Sequence, residues 1–278
     1  YRKVRCRVDR VDYSESLMMT NAPIGVYDSG MGGLTVWREV RRALPEESLV
    51  FLGDGKNCPY GSRSREEIQQ LADAAVARLV KDEGCKMVVV ACNTATAAAI
   101  DFLRAKYAPV PFVGMEPAVK PACLATQSGV VGVLATERSL DGDLFRRTAA
   151  RYGVGIKVVT APGRGFVELV ERDREDSPEA EACVRAAVTD MLLRGADQIV
   201  LGCTHYPFLL PVLRRVLDGH SVSIVDPSPA VARRVVQLLD ANSLRAEAGH
   251  VPEYRFLTFA DEAYRRRLML NAGAATAP

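Results

Sequence analysis

Two stretches of this chain, 111 residues apart, read almost alike. Gly84 leads into Val88-Val89-Val90 and Cys92, and Gly195 leads into Ile199-Val200-Leu201 and Cys203. Polar residues come next in both copies, Asn93-Thr94 in the first and Thr204-His205 in the second. Each copy follows an amphipathic helical pattern. The first opens at Ser64-Arg65-Glu66-Glu67, where the serine and the third-following glutamate can satisfy each other's free backbone amides. The second opens near Ser177-Pro178, with proline at the first helical position. A looser echo pairs Ile24-Gly25-Val26 with Val131-Gly132-Val133, at an offset of 107. Buried parallel strands all look alike, so apolar matches alone carry little weight. The coincident glycine and cysteine are what imply two related α/β halves, each with one cysteine at the carboxyl end of a strand.

The same alternation runs through the rest of the chain. Residues 24–27 read as a strand that breaks into Asp28-Ser29-Gly30-Met31-Gly32-Gly33, with helical periodicity from Leu34 to about Leu44. Residues 49–52 form a second strand, followed by a loop holding Cys58-Pro59-Tyr60-Gly61. The helix from Ser64 should end near Gly84, a natural left-handed stop, and residues 87–91 form a strand that ends at Cys92. Alternating strands and helices predict parallel sheets with helices on both faces. The expected fold is α/β, with two pseudo-symmetric three-layer domains and mainly parallel sheets. Ligands of such sheets bind beyond the carboxyl ends of the strands. Asp28-Ser29, Tyr60-Gly61, Cys92-Asn93-Thr94 and Cys203-Thr204-His205 all follow strand-like segments, so two facing halves gather them around one cleft.

Composition narrows the function. The net charge of +2 comes without a basic stripe, so nucleic acid is not implied. No apolar run is long enough to span a membrane and no signal peptide is visible, which predicts a cytoplasmic protein. Seven cysteines, an odd number in a chain of 278 residues, do not suggest a disulfide framework. With three histidines and no CxxC pair, the spacing indicates no metal site. Residues 1–20 are charged and lack alternation. They read as a tail or a vector-derived remnant, with Met18 or Met19 marking the native start.

Each motif has a plain reading beside the functional one. A cysteine closing a strand is usually a core residue. Cys92, followed at once by polar residues and a helix start, sits where free amides favour negative charge and lower a thiol's pKa. Cys203 has the same context, with His205 two residues on, suited to proton transfer. The glycine-rich turn lacks both the dinucleotide spacing and a Walker lysine. Its glycines either supply positive φ in a tight turn, or its exposed amides and Ser29 hold a carboxylate next to Asp28. Tyr60 belongs either to the core or to the cleft. Glu168 and Glu171, three apart, share a helix face and read by default as a solvated pair.

Together these residues resemble the glutamate racemase family, within the wider aspartate/glutamate racemase superfamily. The matching stretches run from Gly25-Val26-Tyr27-Asp28-Ser29-Gly30-Met31-Gly32-Gly33 through Gly53-Asp54 with Cys58-Pro59-Tyr60-Gly61 to Ala91-Cys92-Asn93-Thr94-Ala95-Thr96-Ala97. They continue with Gly114-Met115-Glu116-Pro117-Ala118, Gly132-Val133-Leu134-Ala135-Thr136, Gly202-Cys203-Thr204-His205-Tyr206-Pro207 and Val225-Asp226-Pro227-Ser228. The resemblance implies a cofactor-independent enzyme that interconverts L- and D-glutamate and supplies D-glutamate for peptidoglycan in the bacterial cytoplasm. It puts the catalytic cysteines at Cys92 and Cys203, with Asp28, His205 and Glu171 assisting. Substrate falls to Asp28, Ser29, Tyr60, Gly61, Asn93, Thr94, Thr136, Thr204 and His205. It further implies one domain of residues 21–117 plus 226–278 and another of 118–225, and is compatible with a homodimer. Ser139 departs from the family, in which many relatives carry threonine; its hydroxyl is retained.

The chemistry agrees. An amino-acid α-hydrogen is very weakly acidic, and inversion needs a base on one face and an acid on the other. Two facing halves with one thiol each supply that pair, while fixed donors in a dry site stabilise the developing charge. Rival readings are a racemase for aspartate or a hydantoin, a racemase-derived decarboxylase, and a non-catalytic small-molecule-binding protein. Retention of both cysteines disfavours the last two.

Overall fold

The computed structural model describes residues 20–141 and 143–273; the expected tail, with Met18 and Met19, lies outside the described residues except for Thr20. Nine strands form two sheets among them. The first contains β1 (Ile24–Asp28), β2 (Leu49–Gly53), β3 (Met87–Val90), β4 (Phe112–Gly114) and β9 (Tyr254–Thr258), in the order β4-β3-β1-β2-β9. The second contains β5 (Val130–Ala135), β6 (Lys157–Pro162), β7 (Gln198–Gly202) and β8 (Ser223–Val225), in the order β6-β5-β7-β8. Every pairing is parallel. Parallel neighbours require crossover connections, and the crossover helices cover both sheet faces. That is why β1, β2, β3 and β7 are buried along their whole length.

The repeat read in the sequence is also a repeat of register. In the first sheet Ile24 is level with Met87, and in the second Val131 is level with Gln198. These are the residues that the offsets of 107 and 111 equate. Strand order agrees as well: β4-β3-β1-β2 in one half matches β8-β7-β5-β6 in the other. Gly84 and Gly195 both precede their strand with φ of +65° and +82°, the left-handed region that a side chain would strain. The two cysteines therefore stand at equivalent strand ends.

Helix signals hold in detail. The helix α1 (Leu34–Ala43) follows the glycine-rich turn, and α2 (Arg65–Ala77) starts with the expected reciprocal cap between Ser64 and Glu67. A π-helical turn, Arg78–Asp82, ends that segment before Gly84. The helix α3 (Asn93–Lys106) begins directly after Cys92. Next come α4 (Val119–Ala125), α5 (Glu137–Asp141), α6 (Asp143–Tyr152) and α7 (Phe166–Glu171). Ser177 caps α8 (Pro178–Leu193) through the Ala180 amide. The last three are α9 (Leu210–Val216), α10 (Ser228–Ala241) and α11 (Glu262–Ala272). The helix α10 packs along α1, and β9 pairs with β2, so the C-terminal segment builds onto the first sheet. Trp37 sits between the rings of Tyr254 and Phe256 at that junction. Among the described residues no helix is long and apolar enough to cross a membrane.

A buried ion pair anchors the end of the first sheet remote from the cysteines. Lys86 Nζ lies 2.6 Å from Glu47 Oε2, with side chains 0% and 3% exposed. Lys86 also donates to the Thr20 carbonyl, and Glu47 Oε1 accepts from the Ala246 amide at 2.8 Å. Removing one partner leaves a buried charge uncompensated. Lys86→Met should therefore destabilise the fold by about 3–5 kcal/mol in urea unfolding. The Lys86→Met/Glu47→Leu pair should recover much of that loss; equal destabilisation by both variants would show that the pair is not what holds this corner.

Candidate active site

Cys92 and Cys203 end β3 and β7 and face one cavity between the two sheets. Ser29, Tyr60, Gly61, Asn93 and Thr94 line it from the first half, and Thr136, Thr204 and His205 from the second, with Pro59 and Val167 completing the wall. Ten of the twelve residues assigned to the site from sequence are thus brought together. Asp28 and Glu171 stand behind the wall. The free volume is about 20 Å³, room for little more than one water. A wider cavity of about 310 Å³ adjoins it through Pro59, Gly61, Thr136 and Val167. An amino acid therefore reaches the cysteines only if the two walls move apart.

The two sulfurs have different neighbours. Cys92 caps α3: its Sγ accepts the Ala95 N–H at 3.4 Å, and its thiol donates to Ser29 Oγ at 3.4 Å. Burial pushes the Cys92 thiol up to about 12, and the negative charge of Asp28 adds to the shift. These outweigh the helix-start amide that the sequence reading took to lower it. Cys203 Sγ lies 3.9 Å from His205 Nδ1. On its other side His205 Nε2 is 2.7 Å from Glu171 Oε1. Burial lowers the His205 pKa, but hydrogen bonds to Cys203, Cys58 and Glu171 outweigh it and hold the ring's proton well above the usual range. Burial likewise raises Glu171, and His205, with the Met31 amide and Tyr264, overcomes it, so the carboxyl stays below its usual value. Both shifts favour the charged pair, imidazolium beside carboxylate.

Asp28 is fully buried, and burial raises its pKa against the pull of His205 and the Gly30 and Gly33 amides. Its Oδ1 accepts from Thr204 Oγ1 at 3.2 Å and its Oδ2 from the Gly30 amide at 3.1 Å. Its hydrogen bonds thus go to Thr204 and Gly30, while Ser29 is the side chain in direct contact with the Cys92 sulfur. Asn93 is the wall residue with spare capacity: both its amide atoms are buried without a hydrogen-bond partner. Thr94 Oγ1 and Thr136 Oγ1 meet at 3.2 Å across the two halves. The Ser139 hydroxyl accepts from Thr136 Oγ1 at 2.9 Å, so serine meets that requirement. Tyr60 is both core and cleft. Its ring lines the cavity, but its hydroxyl donates to Asp54 at 2.6 Å and accepts from Tyr27 at 2.9 Å.

Three readings of the sequence need correcting. Gly30 and Gly32 are not in the positive-φ region. They are glycines because a Cβ on Gly30 would lie 2.1 Å from Glu171 Oε1, and one on Gly32 would lie 2.4 Å from His205 Nδ1. The turn's amides do hold carboxylates, but the protein's own: Met31 N–H donates to Glu171 Oε1 at 2.8 Å and Gly30 N–H to Asp28. The solvated pair is also divided, since Glu168 is exposed while Glu171 turns inward to His205.

The family model for Asp/Glu/Hydantoin racemase matches residues 31–235, a span that includes both cysteines. A curated glutamate racemase from Roseiflexus sp. (strain RS-1) is 52% identical over 80% of this chain and 81% of its own length. The chain belongs to the glutamate racemase family. A glutamate racemase from Pseudomonas putida is 45% identical over 90% of this chain and 93% of its own. The crystal structure of glutamate racemase from Francisella tularensis subsp. tularensis SCHU S4, in complex with D-glutamate, superposes with a TM-score of 0.80 at 28% identity. It covers 94% of this chain and 96% of that one.

In this member of the glutamate racemase family, further residues that sequence reasoning missed pack around the site. Tyr264, on α11, donates to Glu171 Oε2 at 2.8 Å. Its ring rests on Gly55, where a Cβ would come within 2.4 Å. Cys58 donates to Glu171 Oε1 at 3.7 Å; burial pushes its thiol up to about 12, so it stays protonated at neutral pH. Asp54 holds the Tyr60 hydroxyl and accepts from Asn57 Nδ2 at 3.0 Å. Gly55 is the one local signal that something packs there, and it does not say what.

Proposed function

We propose that the chain interconverts L- and D-glutamate by a two-base mechanism, without a cofactor, with Cys92 and Cys203 working on opposite faces of the α-carbon. The observation that carries this is one cysteine from each half at a common cavity, each with a different partner. Cys203, beside the His205–Glu171 pair, takes the proton from L-glutamate, and Cys92, held as a thiol near Asp28, returns one from the other face. D-glutamate reacts through the same groups in reverse. Asn93, Ser29, Thr94, Thr136, Thr204 and the backbone near Gly61 hold the substrate. A glutamate racemase of the same fold, from Francisella tularensis, is solved in complex with D-glutamate, which supports glutamate as the ligand. Burial strengthens each of these polar contacts.

We take the two domains as residues 21–117 with 226–278, and 118–225, and the product as D-glutamate for peptidoglycan, made in the cytoplasm. The test is direct. Protein dialysed against chelator, with no pyridoxal phosphate added, should convert L-glutamate to the racemic mixture, measured by polarimetry. It should turn over glutamate faster than aspartate. Activity that appears only with added pyridoxal phosphate or metal would overturn the mechanism, and faster turnover of aspartate would overturn the substrate.

Tyr264 is a positioning residue in this scheme. Tyr264→Phe removes one hydrogen bond to the Glu171 carboxylate and should slow racemisation about tenfold. Added to Glu171→Gln it should cost little more, because the two act through one bond. Additive losses in the double variant would assign Tyr264 a separate, structural role.

A further inference from the structure

Beside the cavity, three side chains distant in sequence each bring a metal-ligating atom to a common point. Atoms of Cys58, Glu171 and His205 lie within 4.8 Å of one another, the one such group among the described residues. We propose that this cluster is an inhibitory binding site for a thiophilic divalent cation, with Zn²⁺ as the type. The donors are a thiol, an imidazole and a carboxylate, the set that suits Zn²⁺ rather than Mg²⁺ or Ca²⁺, which take oxygen ligands.

The spacing is close to what a tetrahedral ion needs. Metal–ligand bonds of about 2.0–2.3 Å put neighbouring ligand atoms roughly 3.3–3.7 Å apart. Cys58 Sγ is already 3.7 Å from Glu171 Oε1. His205 Nε2, at 2.7 Å from that oxygen, has to retreat by roughly half an ångström or more. The surroundings fix the ligands' orientation, as second-shell groups do. Tyr264 holds Glu171 Oε2 at 2.8 Å, which leaves Oε1 toward the cluster, and His205 Nδ1 faces Cys203 at 3.9 Å. Glu171 and Cys58 are partly exposed, which gives a cation a way in.

Binding is an exchange of protons for metal. The Cys58 S–H bond breaks, the proton shared by His205 and Glu171 leaves, both go to solvent, and three metal–ligand bonds form without redox change. Two consequences follow. His205 keeps only its Nδ1 proton, which it cannot hand to Cys203 without becoming imidazolate, so proton exchange with Cys203 is suppressed. The ion also ties the β2 side of the cleft, through Cys58, to Glu171 and His205 on the other, holding closed the walls that must part for substrate. The inhibition rests on the function proposed above; the binding does not.

Co²⁺ serves as an optical probe, added anaerobically to the purified chain without substrate. One equivalent should give a thiolate-to-cobalt charge-transfer band in the near ultraviolet. The band should be absent in Cys58→Ala and present in Cys92→Ala. Zn²⁺ should then inhibit racemisation reversibly, with removal by chelator, at a concentration at least about tenfold lower for the unaltered chain than for Cys58→Ala, each normalised to its own metal-free rate. Cys58→Ser repeats both measurements if the alanine variant does not fold. A band that survives in both Cys58 variants, or one lost in Cys92→Ala, would place the metal on the cavity thiols and overturn the proposal. A cobalt band with the expected variant pattern on a chain that does not racemise glutamate would uphold the site and overturn only the function.

Discussion

Cys92→Ala and Cys203→Ala should each lower racemisation at least about 10³-fold in both directions, because inversion needs a base on one face and an acid on the other. Losses of similar size, and little further loss in the double variant, are expected of groups that work as a unit. The more telling outcome is what each variant still does. With only Cys92 present, α-hydrogen exchange with D₂O should persist slowly for D-glutamate, without inversion, and be absent for L-glutamate. With only Cys203 present, the preference should reverse. Neither variant should lose much stability, since each removes one sulfur from the wall of a small cavity. Full racemisation in either variant would end the two-base account.

The assistants should divide by direction. His205→Asn should lower the maximal rate from L-glutamate by about 10²-fold and that from D-glutamate less, and Asp28→Asn should do the opposite. The equilibrium constant of a racemisation is unity, so kcat/KM must fall equally in both directions. The asymmetry therefore appears as opposing changes in kcat and KM. Glu171→Gln should follow His205→Asn, because Glu171 reaches the sulfur only through the imidazole. The pair also has a signature in stability. His205 is raised from 6.5, so its contribution is complete below that value and is lost as pH rises through its higher folded pKa. Glu171 is lowered from 4.5, so its contribution is complete above that value and is lost as pH falls through its lower folded pKa. The cost of Glu171→Gln in urea unfolding should thus be greatest between those two ordinary values and shrink on either side. A cost that does not vary with pH would show that the residues are not an ion pair.

What was legible in the sequence is what repeats or caps. Gly84 and Gly195, the Ser64–Glu67 box and the paired cysteines are local or periodic signals, and the structure keeps all of them. What was illegible depends on contacts between segments far apart in the chain. Nothing near Glu171 announces Tyr264, 93 residues on, and nothing near Gly30 says that its missing side chain makes room for Glu171. The strand β9 is as short as many loops and acquires its role only by pairing with β2. Lys86 reads as an ordinary surface cation until Glu47 and the backbone at Thr20 enclose it. Thiol chemistry was half legible: the strand-end positions of Cys92 and Cys203 were plain, but the balance of burial and charge that holds Cys92 protonated required its neighbours.

The central claim, that one thiol removes the hydrogen and a different thiol supplies its replacement, is tested most directly by running the unaltered protein on L-glutamate in D₂O. Samples taken in the first few per cent of reaction are resolved into enantiomers and weighed by mass spectrometry. The account predicts D-glutamate carrying one α-deuterium in essentially every molecule, and L-glutamate still carrying hydrogen. Unlabelled D-glutamate, or label entering the remaining L-glutamate as fast as D-glutamate forms, would mean that a single base serves both faces and would contradict it.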